Sequence, residues 1–108
     1  MRLKLTIAYD GRGFAGWQVQ PGKDTIQARL ETALAEIAKE PLRLHGSGRT
    51  DSGVHAAGQV AHFDAPGQLT MNPVNWLAAL NTKLPATIRV LECEEVPAEF
   101  HARFSARS

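Results

Sequence analysis

The residues best able to do chemistry are gathered in Gly46-Ser47-Gly48-Arg49-Thr50-Asp51-Ser52-Gly53-Val54-His55, between two segments that read as strands, Leu42 to His45 and Gln59 to Phe63. Three glycines in eight residues mark a backbone that turns sharply or passes close to another group. A plain strand connection needs turn residues such as Asp51-Ser52-Gly53, but not an arginine, a threonine and two further glycines. An ordinary glycine-rich hairpin with a solvated Arg–Asp pair accounts for the same spacing. Two phosphate-binding motifs do not fit. A P-loop requires Lys after its last glycine, where Val54 stands, and a dinucleotide fingerprint requires glycine at Asp51. The loop therefore offers a carboxylate. A free aspartate, with a pKa near 3.9, is ionised at pH 7. Full burial would raise that by roughly 3–5 units, and an adjacent arginine lowers it by about 1–3. Arg49 accordingly reads as the group that keeps a covered Asp51 charged.

The elements that must hold this loop follow from hydrophobic periodicity. Leu3, Leu5, Ile7 and Tyr9 alternate with Arg2, Lys4, Thr6 and Ala8, the pattern of a half-buried strand. Gly11 to Gly16 form a glycine-rich loop carrying Phe14, with Trp17 just beyond it. From Asp24 the period becomes helical, with Ile26, Leu30, Ala33, Leu34 and Ile37 on one face. Asp24 is the expected N-cap, Gln27 lies three residues on, and Pro41 stops the helix. Asn72-Pro73 is a cap and first-turn pair for a second helix, with Val74, Leu77, Leu80 and Leu84 as its apolar stripe and Pro85 as its end. Thr87 to Cys93 form the last strand. The order β-α-β-β-α-β predicts an α+β, ferredoxin-like sandwich: an antiparallel sheet with both helices on one face and the other face open. Residues 1–99 make this domain, and residues 100–108 form a separate aromatic-basic segment that reads as a frayed terminus, a nucleic-acid contact or a linker to a further part.

At 108 residues, with 44% hydrophobic and 21% charged residues, the chain has the make-up of one soluble globular domain. Twelve basic and eleven acidic residues leave a net charge of +1, so a nucleic-acid partner would have to be met by a local basic patch. The single cysteine, Cys93, excludes an internal disulfide and a cysteine-rich zinc site. No apolar run is long enough to span a bilayer and none opens the chain as a signal core, which makes a reducing cytoplasm the default and gives no membrane partner.

Other residues carry weaker signals. The spacing of His55 and His62 suits no metal, and a histidine hydrogen-bonded within or beside the loop is the simpler reading. Phe14 and Trp17 could stack on nucleotides or pack against the sheet. Arg12, Lys23, Arg103 and Arg107 are candidates for phosphate contact or plain surface charges.

Gly48-Arg49-Thr50-Asp51-Ser52-Gly53-Val54-His55, followed by Gly58-Gln59-Val60, resembles the signature of the TruA family of tRNA pseudouridine synthases. Tyr9-Asp10-Gly11 with Phe14 and Gly16-Trp17-Gln18 is similar to that family's N-terminal motif. Phe100-His101-Ala102-Arg103-Phe104-Ser105 is similar to its RNA-contacting segment. Ser52 stands where the family usually has alanine, and family members are roughly twice this length. The resemblance implies a cytoplasmic homodimer that isomerises uridines of the tRNA anticodon stem-loop (family positions 38–40), with no metal or cofactor. It implies Asp51 as the catalytic nucleophile, Arg49 beside it in support and in base flipping, and Phe100, His101, Ala102, Arg103 and Phe104 as RNA contacts. It also implies that these residues are the N-terminal half of the enzyme, inactive without a C-terminal half and its tyrosine. Folding alone is expected on other grounds, because four strands and two helices close one core. Asp51 would attack C1′ or the ring, or stabilise positive charge at C1′. A glycosidase would want a second carboxylate.

Two rivals use the same topology. A non-catalytic RNA-binding module carries an aromatic-rich third strand, whereas Gln59 to Phe63 holds only Phe63. A small regulatory or oligomerisation domain has no use for the Arg49–Asp51 loop or for the aromatic-basic tail.

Overall fold

The computed structural model describes residues 1–48, 53, 55–69 and 71–102. Its elements follow the expected order: β1 (Arg2–Tyr9), α1 (Ile26–Ala38), β2 (His45–Gly46), β3 (Ala56–Asp64), α2 (Pro73–Lys83) and β4 (Ile88–Val96). They form one four-stranded antiparallel sheet in the order β2-β3-β1-β4, which is the ferredoxin-like arrangement. Period-2 alternation sorts the strands. Leu3 pairs with Phe63 and Leu5 with Ala61 on the face that joins the helices in the core. Arg2, Lys4 and Thr6 pair with Asp64, His62 and Val60 on the opposite face. That opposite face is where the residues after β4 return.

The helix caps explain where the chain enters and leaves the core layer. Thr25, not the expected Asp24, caps α1, its Oγ1 accepting the Ala28 N–H at 3.3 Å. Asp24 instead pairs with Arg29 at 2.7 Å. Lys39, in the left-handed region at φ 63°, closes α1 two residues before Pro41. Asn72 caps α2 as expected, its side chain accepting the Asn75 N–H at 3.0 Å, and Pro73 takes the first turn. The buried face of α2 differs from the expected stripe. Val74 points outward at 73% exposure, and the fully buried Trp76 anchors the helix against Phe63 with ring centroids 5.1 Å apart.

β2 is only two residues long, although Leu42 to His45 has strand composition. The reason is local. The Leu44 N–H donates to Glu31 at 2.9 Å and the Leu44 carbonyl accepts from Gln27 at 2.9 Å. Both backbone groups are thus used by side chains of α1 and are withdrawn from the sheet ladder. β3 and β4 are conversely longer than their apolar cores, because Ala56 and Val96 still find partners in β1.

Candidate active site

The loop that carries the carboxylate is held at both stems. On the β2 side, the Ser47 N–H donates to the Val60 carbonyl at 2.8 Å, and Ser47 Oγ donates to Gln59 Oε1 at 2.9 Å. Gln59 Nε2 in turn donates to the Gly48 carbonyl at 2.8 Å. On the β3 side, Gly53 takes a φ of +80°, which glycine adopts without strain, and its N–H donates to the Phe14 carbonyl at 3.3 Å. His55 Nδ1 accepts the Gly11 N–H at 2.9 Å, the hydrogen bond beside the loop that the sequence suggested. The stems are therefore tied to β3 and to the N-terminal glycine-rich loop. Arg49 and Asp51 themselves lie outside the described residues, as do Arg103, Phe104 and Arg107.

Phe14 and Trp17 are buried, at 8% and 3% exposure, and belong to the core rather than to a stacking platform. Trp17 lies 6.0 Å from the Tyr9 ring and packs so closely on Gly46 that a Cβ there would meet Trp17 Nε1 at 2.7 Å. The same tryptophan thus links the N-terminal motif to β2 and the start of the loop. Arg12, a candidate phosphate contact, is paired with Asp10 at 2.6 Å. Its guanidinium, hydrogen-bonded to the carboxylate, holds Asp10 far below the usual carboxylate range. Lys23 is exposed.

The residues after β4 return over the open face. Arg2 grips Asp64 through two hydrogen bonds, at 2.8 and 3.0 Å, and donates a third, at 2.5 Å, to the Phe100 carbonyl. Ala102 is fully buried, and its N–H donates to His62 Nδ1 at 3.1 Å. His101 packs edge-on to His62 at 4.8 Å, and His45 stacks on His62 at the same centroid distance. Three imidazoles from β2, β3 and the tail therefore meet, with one ring nitrogen of each within 4.8 Å of the others. Sequence spacing pointed away from a metal for His62 because its neighbours here, His45 and His101, are distant in the chain. Burial first, and then the nearby Arg2 and the other two histidines, push the His62 pKa down to about 4. Burial, His101 and Arg43 also lower His45. Cys93 is half-buried, and burial pushes its thiol up to about 11, away from nucleophilic use.

A cavity of about 600 Å³ opens between this cluster and the loop stem, lined by Trp17, Arg43, His45, Ser47, Gly48 and His101 among others. Arg2, Arg43 and His45 are the residues at this end of the sheet that sequence reasoning missed, and Gln59, read there only as part of the signature, proves to brace the loop stem. Among the described residues, no helix is long and apolar enough to cross a membrane.

A ferredoxin-like sheet bearing a pinned, glycine-rich Arg–Asp loop at one end defines a class, and comparison with known proteins names it. The family model for tRNA pseudouridine synthase matches residues 5–105, and the chain belongs to that family. Its curated relatives include the tRNA pseudouridine synthase A of Akkermansia muciniphila, 55% identical over 105 residues that cover 97% of this chain and 40% of the relative. The protein of the same name from Maridesulfovibrio salexigens is 52% identical, over 97% of this chain and 38% of the relative. That from Bacillus pumilus is 54% identical, over all of this chain and 44% of the relative. The chain thus spans about two-fifths of the length of the curated relatives it matches.

Proposed function

We propose that this chain supplies the aspartate-bearing part of a cytoplasmic enzyme that isomerises uridine to pseudouridine in the anticodon stem-loop of tRNA. The observation that carries the reading is that the family match runs through the Asp51 loop, both stems of which are tied down. In the proposed reaction the N1–C1′ bond breaks, the uracil turns while retained, and C5 joins C1′ as the C5 proton leaves. Asp51 serves as nucleophile or as the negative charge that stabilises C1′. Arg49 keeps that carboxylate ionised and fills the space of the flipped base. Phe100, His101, Arg103 and Phe104 contact the RNA, while Ala102, expected as a further contact, is fully buried and instead anchors the segment on His62. The base that takes the C5 proton comes from the remainder of a family-length chain, because the only tyrosine here, Tyr9, is 4% exposed and belongs to the core of β1. A homodimer is the proposed assembly. The burial of Phe14 and Trp17 argues against the rival, a non-catalytic RNA-stacking module.

The test places this chain, as wild type or Asp51→Asn, in front of the remaining residues of one of its relatives and counts tritium released from tRNA labelled at C5 of uridine. Asp51→Asn preserves size and removes charge. Release should fall at least a thousandfold while tRNA affinity stays within about twofold. Retention of a tenth of the wild-type rate would remove Asp51 from the reaction.

A further inference from the structure

The three-imidazole cluster lies outside the Asp51 loop, and of its members only His101 belongs to the segment already proposed to contact RNA, leaving His45, His62 and the neighbouring Arg43 without a role. We propose that His45, His62 and His101, with Arg43 at the cavity rim, form a site for a phosphate oxygen of the RNA backbone. The proposal rests on the tRNA reading and adds to it a point of attachment beside the reacting nucleotide.

Three histidines invite a metal first, and distance decides between the two ligands. Zinc binds imidazole nitrogens at about 2.0–2.1 Å, which requires the nitrogens to stand roughly 3.4 Å apart. The spread of up to 4.8 Å is too wide for that. An oxygen set centrally among nitrogens spread up to that limit lies at most about 2.8 Å from each, within hydrogen-bond reach. Proton placement points the same way. His62 Nδ1 accepts the Ala102 N–H, so the ring's own proton is on Nε2, and that edge is a donor rather than a metal ligand. His62 is 1% exposed, and among the described residues no acceptor meets this N–H. The Nε2 atom is not among the fully buried polar atoms that lack a partner, so this donor keeps access to the surface and can meet an anionic oxygen there.

The surrounding charge also suits an anion. Arg2 is held by Asp64 and by the Phe100 carbonyl, but Arg43, exposed at the rim, makes no ion pair among the described residues. Arg43 is close enough to His45 to disfavour a second positive charge there. A cation entering the cluster would meet the same repulsion, whereas a phosphodiester would relieve it. Arg43, His45 and His101 all line the cavity that reaches Ser47 and Gly48, the β2 stem of the Asp51 loop. A phosphate held there would sit beside the β2 stem of that loop.

The experiment follows the four histidine ring resonances of this chain by NMR while inorganic phosphate or zinc chloride is added. Phosphate should shift His45, His62 and His101 together, saturating at millimolar concentration, and leave His55 in place. Arg43→Ala, an exposed change, should weaken that binding about fivefold to tenfold. It should also lower the salt slope of tRNA binding by about 1, as expected when one phosphate contact is lost. Equal shifts of all four histidines, or none, would overturn the site. Micromolar zinc binding that moves only the cluster would overturn it in favour of a metal. If phosphate binds but Arg43→Ala leaves the tRNA salt slope unchanged, the site is not an RNA contact and the proposal fails. The tritium assay on Asp51→Asn judges the underlying reading separately.

Discussion

Acid should unfold this protein in a window set by one buried imidazole. In the folded chain His62 stays neutral down to about pH 4, because it is 1% exposed and lies near Arg2. In the unfolded chain it takes up a proton near pH 6.5. Between these values the unfolded state binds more protons, so acid favours unfolding. The stability contributed by neutral His62 is complete above about pH 7, declines as pH falls through 6.5, and stops declining below about pH 4. Linkage over this window amounts to about 2 kcal/mol lost between pH 7 and pH 5, and about 3 kcal/mol in all. The carboxylates held low by arginine partners, Asp24 by Arg29 and Asp64 by Arg2, act in a lower window. Their contribution is lost only as pH falls through the unfolded value of about 3.8 and below. Urea unfolding at pH 7 and pH 5 therefore isolates the imidazoles. His62→Asn is the informative variant, since its Oδ1 can accept the Ala102 N–H in place of Nδ1 while carrying no titratable proton. Wild type should lose about 2 kcal/mol on acidification, and His62→Asn clearly less. An equal loss in both proteins would show that His62 is not the titrating group.

Two further perturbations probe how the loop is held. Gly46→Ala puts a Cβ 2.7 to 2.9 Å from the indole of Trp17, so Trp17 or β2 must shift, at a cost of about 1–3 kcal/mol; an unchanged urea midpoint and tryptophan emission spectrum would contradict that packing. Gln59→Leu removes the amide that joins Ser47 Oγ to the Gly48 carbonyl. In a family-length chain it should slow tritium release by on the order of tenfold to a hundredfold, while stability changes by about 1 kcal/mol. A normal rate would mean that this brace does not position the loop.

Much of the architecture could be read from the order of residues because it depends on local rules. Alternation in Leu3 to Tyr9 set the buried face of β1, and Asn72-Pro73 set the start of α2. Where local reading failed, a distant group had intervened. Strand composition in Leu42 to His45 lost to Gln27 and Glu31, which take the backbone of Leu44. Thr25 displaced Asp24 as cap while Asp24 turned to Arg29. Val74 gave way to Trp76 because only the latter reaches Phe63.

The Asp51 loop was legible for a different reason. Its glycines, arginine and aspartate are consecutive, so a short stretch carries the whole motif, and the family match confirms the lineage it suggested. The histidine cluster is the opposite case. His45, His62 and His101 mean nothing at their spacings in the chain. They meet because β2 pairs with β3 at His45 and His62, and because Arg2 and His62 dock the tail across them. Short-range pattern is written in neighbouring residues, but a site assembled from strand register and a returning tail exists only once the chain has closed on itself.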